Sequence, residues 1–241
     1  MQNRRGGVLV ALDTTDLDQA RAWARVTAGS VAGVKLGLEF FNARGPEGVR
    51  RVAEMGSPIF LDLKFHDIPN TVAGAVRAVV PLQPAILNVH AGGGPAMLRA
   101  AGDAARETAA KLGITPPKVI GVTVLTSLSN EDLAAVGQQP AAADQVRRLA
   151  ALTKSCGLDG VVCSPHEIAQ LRRDLGPDFL LVTPGVRPSW AAAGDQKRVM
   201  EPREAMAAGA DFLVIGRPIT GAADPAEAAR RIALEISDAA A

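Results

Sequence analysis

The chain has 241 residues, 48% of them hydrophobic and 21% charged, with a formal net charge of +1. That length suits one large domain or two small ones and supplies ample apolar material for a core. A balance so near neutrality argues against a nucleic-acid footprint or a membrane-surface patch, so any anionic partner must be met by a local site.

The opening segment, MQNRRGGVLVALD, joins two arginines to an apolar run that Asp13 ends. The run is too short for a signal peptide, and no later stretch approaches a membrane span. The two cysteines, Cys156 and Cys163, match no zinc or redox spacing and read as free buried thiols of a reducing compartment. A cytoplasmic protein is expected.

Taken in chain order, the apolar runs predict strands at VLVALD (8–13), VAGVKLG (31–37), PIFLDLK (58–64) and AILNVH (85–90). Four more follow at KVIGVTVL (118–125), DGVVCS (159–164), FLLVTPG (179–185) and DFLVIG (211–216). They are unbroken rather than alternating, as parallel strands buried on both faces should be. Helical periodicity lies between them. Val72, Val76, Val79 and Val80 form a stripe after Asn70-Thr71, which read as an N-cap. Leu98, Ala101 and Ala105 form another, as do Val146, Leu149 and Leu152. Pro225, Ala228, Ile232 and Ile236 mark a final helix with proline in its first turn. Eight strand-helix pairs predict an α/β protein built as a single-domain (β/α)8 TIM barrel over residues 1–241. A doubly wound sheet is the alternative, weakened because no GxGxxG follows the first strand.

Polar residues collect at the C-terminal ends of these strands: Asp13, Lys35, Asp62 with Lys64, His90, Thr123 with Thr126, Ser164, Thr183 and Arg217. In a barrel those ends share the face on which active sites are built. Asp62 and Lys64 are two apart on a strand and so are expected on one face, with Leu61 and Leu63 on the other. A lysine and a carboxylate facing inward demand partners, and Asp13 and Lys35 would complete a cluster of two cations and two anions. Singly, each has a plainer reading. Lys35 suits a snorkelling or ion-paired lysine, and Asp13 suits a cap for a helix begun by Thr14-Thr15-Asp16. Convergence of four charges favours function. His90 is expected to bond loop backbone, and Cys163 to lie in the core.

Near the end of the chain, GRPIT (216–220) places Gly216 and Arg217 after the eighth strand, before a possible short helix. Barrels bind phosphate there, with arginine as a bidentate fork. Upstream, VTPGVRPSWAAAGDQKR (182–198) is a long loop containing Arg187 and Gln196, read as a lid around 184–196.

DLKFHDIPNT, with its Asp-x-Lys-x-x-Asp core, resembles the signature of the orotidine 5′-phosphate decarboxylase family. The similarity continues in order through ALD, VKLG, VTVLTS, VTPGVRP, GDQKR and IGRPIT. The resemblance implies a homodimeric barrel enzyme that converts orotidine 5′-phosphate to UMP and CO2 without metal or organic cofactor, the last step of de novo pyrimidine synthesis. It implies Lys64 as proton donor in an array with Lys35, Asp62 and Asp67, and Asp67, Ile68 and Thr71 reaching the neighbouring subunit's site. Asp13 and Lys35 would hold ribose hydroxyls, and Thr126 would meet the nucleotide near its base. Pro184 would line the nucleotide site, while Arg187, Gln196, Gly216 and Arg217 would hold its phosphate side.

Two other functions compete. A hexulose-phosphate synthase or keto-gulonate-phosphate decarboxylase shares Asp-x-Lys-x-x-Asp but uses Mg2+ and further carboxylates, for which Glu39 is available. A catalytically silent nucleotide or phosphate sensor has no need of the buried charge array.

Overall fold

The computed structural model describes residues 7–138, 141–191 and 200–237. Among them β1 (Gly7–Ala11) leads into α1 (Leu17–Thr27), β2 (Gly33–Gly37) into α2 (Leu38–Ala53), and β3 (Ile59–Phe65) into α3 (Pro69–Val79). β4 (Ile86–His90) precedes α4 (Gly94–Leu112), and β5 (Lys118–Val122) precedes α5 (Asn130–Ala135) and α6 (Ala142–Ser155). β6 (Gly160–Val162), α7 (Ile168–Leu175), β7 (Leu180–Pro184), α8 (Pro202–Ala207), β8 (Phe212–Ile215), α9 (Arg217–Thr220) and α10 (Pro225–Ser237) complete the order. The strands close as a barrel in sequence order. This is the (β/α)8 architecture read from the sequence, with each expected strand within a few residues of its place.

By its contacts the chain groups into two units, residues up to Leu63 with those from Thr183 onward, and Lys64–Val182. In the first, β1 lies parallel to both β2 and β8, with Ala11 opposite Lys35 and Val10 opposite Ile215, and Gly37 of β2 stands opposite Asp62 of β3. In the second, β4 to β7 run parallel in order, aligning His90 with Val122, Val122 with Val162, and Val162 with Val182. Every residue of β1 and β2 is buried, Lys35 included. That is why these strands read as continuous apolar runs.

Backbones approach closely where side chains are absent. A Cβ on Gly160 would sit 2.4 Å from the Leu180 carbonyl oxygen, and one on Gly33 would sit 2.4 Å from that of Pro58. Neither backbone oxygen can swing aside, so neither position accepts a larger residue without a shift of the chain.

The helices form because packing outweighs propensity. α3, PNTVAGAVRAV, carries four β-branched residues and one glycine, each less favourable than alanine by about 0.5–1 kcal/mol. Burial of Val72, Val76 and Val79 more than offsets this, at roughly 1.5–3 kcal/mol for each fully buried side chain. The expected stripe is correct, but the expected cap is not. The helix starts at Pro69, with Ile68 as N-cap and no side-chain capping bond, so Asn70 and Thr71 lie inside the first turn. Proline at the first helical position needs no N–H partner and carries a helical φ, which moves the start upstream.

The cap of α1 is also relocated. Asp16 accepts from the amides of Asp18 and Gln19, leaving Asp13 out of the capping role. Cys156 and Cys163 are both free and buried. No helix among the described residues is long and apolar enough to cross a membrane.

Candidate active site

The strand ends of the first unit bring three charged residues together. Lys35 Nζ donates to Asp13 Oδ1 at 3.0 Å and lies 3.7 Å from Asp62 Oδ2. Strand alignment is the cause, because β1 and β3 flank β2, so that Asp13, two residues past the end of β1, and Asp62 of β3 both come within reach of its lysine. The lysine side chain is 10% exposed and that of Asp62 13%, whereas Asp13 is 60% exposed. An ammonium so buried requires compensation, and two carboxylates provide it. Lys35 is therefore an ion-paired lysine rather than a snorkelling one.

Gly37 and Gly216 border this cluster. A Cβ on Gly37 would lie 3.0 Å from Lys35 Nζ, and one on Gly216 would lie 3.8 Å from Asp13 Oδ2. Arg217 follows Gly216 as the first residue of the short helix expected there, and its side chain is exposed. Pro184 closes β7. Arg187 is buried, and its amide donates to the Met200 carbonyl at 3.0 Å beside an isolated bridge between Val186 and Met200. This bridge ties the two described ends of the long loop together. Gln196, and with it the middle of the expected lid, lies outside the described residues.

In the second unit Lys64 has a backbone φ of +49°, although it belongs to β3. A non-glycine residue in this region is uncommon and points to a constrained position. The regular extended backbone of β3 is therefore interrupted at Lys64. Its amide donates to Oδ1 of Asn88 at 2.8 Å, and Asn88 is completely buried in β4. Sequence reading passed over Asn88, though a lone amide side chain in the apolar run AILNVH was a visible signal. Asp67 accepts the Ile68 amide at 2.7 Å, and Asp67, Ile68 and Thr71 are exposed at the start of α3, Ile68 to the extent of 67%. Thr126 is exposed in the turn beyond β5.

Other polar strand ends serve the fold. Thr123 is buried and donates its hydroxyl to the Val162 carbonyl at 2.8 Å. Ser164 and Glu167 form a capping box, in which the serine amide donates to the glutamate at 2.8 Å. Thr183 is buried within β7. His90 departs from its expected bond to loop backbone: its ring stacks on His66 with centroids 5.1 Å apart, and its buried Nδ1 has no hydrogen-bond partner among the described residues. Burial, then the neighbouring His66 and Lys64, hold its pKa below the usual histidine value. Among the described residues no group of three or more His, Cys, Asp and Glu side chains is arranged to hold a metal ion, and Glu39 is exposed in the first turn of α2.

A closed (β/α)8 barrel with an acid-lysine-acid cluster near its strand ends defines the class of barrel enzymes, which build their sites on that face. Residues 7–232 match the family model described as Orotidine 5′-phosphate decarboxylase / HUMPS family. The chain is 62% identical over 236 residues to the orotidine 5′-phosphate decarboxylase of Rhodospirillum rubrum, covering 98% of this chain and 96% of that protein. It is 57% identical over 229 residues to the enzyme of the same name from Paramagnetospirillum magneticum, covering 95% and 97%. The crystal structure of orotidine 5′-phosphate decarboxylase from Lactobacillus acidophilus superposes with a TM-score of 0.84 at 36% identity, covering 96% of this chain and 99% of that one. This chain belongs to the orotidine 5′-phosphate decarboxylase / HUMPS family, and it is an enzyme.

Proposed function

We propose that the chain decarboxylates orotidine 5′-phosphate to uridine 5′-monophosphate and CO2, the final step of pyrimidine nucleotide synthesis, with Lys64 as the proton donor. The observation that carries this reading is the Lys35 ammonium set between Asp13 and Asp62, two residues from Lys64 along β3. Family membership supplies the substrate.

Breaking the bond from C6 of the pyrimidine to the carboxylate leaves an electron pair in the plane of the ring, where the π system cannot take it up. Charge must stabilise that pair. An ammonium beside C6 does so as the pair forms, then delivers its proton to the same carbon. Arginine would not serve, because it does not release a proton at neutral pH. Asp62 and Asp67 keep Lys64 charged and directed, Asp13 and Lys35 hold the ribose hydroxyls, and Thr126 meets the base.

Pro184, Arg187, Gln196, Gly216 and Arg217 take the phosphate side. Their binding energy is applied far from the reacting carbon, which makes sense if it closes the loop around 184–196 over the nucleotide. The active form is a homodimer in which Asp67, Ile68 and Thr71 reach the partner's site; the exposed Ile68 beside Asp67 supports this. No metal or organic cofactor takes part, and the protein works in the cytoplasm.

The test follows the loss of orotidine 5′-phosphate absorbance with purified protein, before and after EDTA. Turnover that survives EDTA is expected, as is its loss in Lys64→Ala with UMP binding still measurable. Absence of turnover, full inhibition by EDTA reversed by Mg2+, or near-native kcat in Lys64→Ala would each overturn the assignment.

A further inference from the structure

Lys64 and Gln83 are the described non-glycine residues with positive φ, at 49° and 53°. Gln83 is accounted for by its place, since it caps a short 3-10 turn at Val80–Leu82 with a bond from its amide to the Val80 carbonyl. Left-handed residues are common at such stops. Lys64 is not at such a stop. It lies in a strand, in a chain that has glycine at many other positions, and a lysine there pays about 1–2 kcal/mol in steric strain. Something must hold it.

The holder is Asn88. The Lys64 amide donates to the Asn88 side-chain oxygen, 2.8 Å away. Asn88 has no exposed surface, and its neighbours in β4, Leu87 and Val89, are equally buried. If Lys64 relaxed into the extended conformation of the rest of β3, its amide would leave that oxygen. Giving up that buried bond costs about 0.5–1.5 kcal/mol, comparable to the strain that relaxation would relieve. The bond and the strain are therefore matched, and the left-handed backbone persists.

Backbone conformation sets the direction in which Cβ leaves the chain. A lysine in the left-handed region sends its side chain along a path that an extended residue does not use. We infer that Asn88 is a positioning residue for the decarboxylation: by gripping the Lys64 amide, it holds Lys64 in a strained conformation that aims the ammonium at the reacting carbon. This rests on Lys64 being the proton donor. The device also explains why an amide side chain occupies the middle of an otherwise apolar strand. Asn88 contributes through Lys64 and touches neither substrate nor reacting atoms in this account.

The experiment compares Asn88→Leu, which keeps volume but loses the acceptor, with Asn88→Asp, which retains an oxygen at the same place in either protonation state. Readouts are kcat, the affinity for UMP alone, and the hydrogen-exchange rate of the Lys64 amide. For Asn88→Leu the expected result is a fall in kcat of roughly tenfold or more, as for a small misplacement of a catalytic group. UMP affinity should stay near native, and the Lys64 amide should exchange faster. Asn88→Asp should restore much of kcat and of the amide protection. Unchanged kcat in folded Asn88→Leu overturns the inference, as does a parallel loss of kcat and UMP affinity. If Asn88→Leu does not fold, Asn88→Asp decides: a folded variant with protected Lys64 amide and near-native kcat supports the inference, and one with normal UMP affinity but collapsed kcat overturns it. Lys64→Ala separates the two levels. Near-native turnover in that variant sinks the role of Lys64 itself, whereas its inactivity beside a fully active Asn88→Leu sinks only the role of Asn88.

Discussion

Lys35 holds Asp13 at 3.0 Å and Asp62 at 3.7 Å, so one buried ammonium joins a carboxylate just beyond β1 to one within β3. Replacing it by methionine preserves much of the volume but leaves the two acids facing each other. Breaking a fully buried pair costs about 3–5 kcal/mol. With Asp13 mostly exposed, Lys35→Met should lose less, about 1–3 kcal/mol after allowing for solvent screening. Urea denaturation at low and high salt checks this, and the deficit should shrink as salt screens the repulsion. If the cluster acts by fixed charge as proposed, turnover should fall by roughly 10²-fold or more.

Gly37 offers a gentler perturbation of the same cluster. An alanine Cβ there would stand 3.0 Å from Lys35 Nζ, the far end of a flexible side chain. The ammonium can retreat by a few tenths of an ångström without disturbing the backbone. Gly37→Ala should therefore leave the melting temperature almost unchanged while lowering kcat about tenfold through misalignment. An equal loss of stability and activity would show instead that the backbone had moved.

Arg217 is exposed at the start of α9, next to Gly216, on which a Cβ would lie 3.8 Å from Asp13 Oδ2. A guanidinium on a phosphate contributes through charge-assisted hydrogen bonds worth about 1.5–3 kcal/mol. Arg217→Ala should accordingly lower kcat/KM for orotidine 5′-phosphate by roughly 10–10²-fold, with little effect on the slow reaction of the unphosphorylated nucleoside. Steady-state kinetics on both substrates provide the check, and equal losses on the two would contradict a phosphate contact.

His90 predicts a pH dependence of stability. Its native pKa lies below the ordinary value of 6.5, chiefly because of burial, and then because of His66 and Lys64. Between those two values the unfolded chain takes up a proton at this site and the folded chain does not. Stability must then fall as pH decreases from about 6.5 toward the native pKa, and level off once both states are protonated. His90→Asn should flatten that part of the profile in denaturation experiments from neutral to mildly acidic pH. An identical slope in the variant would assign the dependence to other groups.

Much of this was legible in the chain itself. Unbroken runs such as VLVA and GVKLG reveal strands buried on both faces, because a parallel sheet covered by helices leaves no polar side to alternate with. The Val72, Val76 and Val79 stripe shows in the same way which face of α3 turns inward. Charged residues at the ends of those runs mark Asp13, Lys35 and Asp62 as partners, since burying one of them alone is prohibitive. The start of α3 was misplaced because a proline at the first helical position competes with nearby asparagine and threonine as a boundary signal, and both obey sound local rules.

By itself, then, the sequence determined the order of elements, the barrel class and the residue types available at its strand ends, because these follow from periodicity and from the cost of buried charge. Tertiary structure alone decided which of those residues meet. It sent Asp13 to Lys35 rather than to the cap of α1, turned Thr123 and Ser164 to structural use, stacked His90 on His66, and strained Lys64 against Asn88. The physical reason is range. Hydrophobic period and helix boundaries are set by neighbours in the chain, whereas a hydrogen bond from residue 64 to residue 88, or an ion pair from 35 to 13, exists only once strand register has placed the two ends side by side.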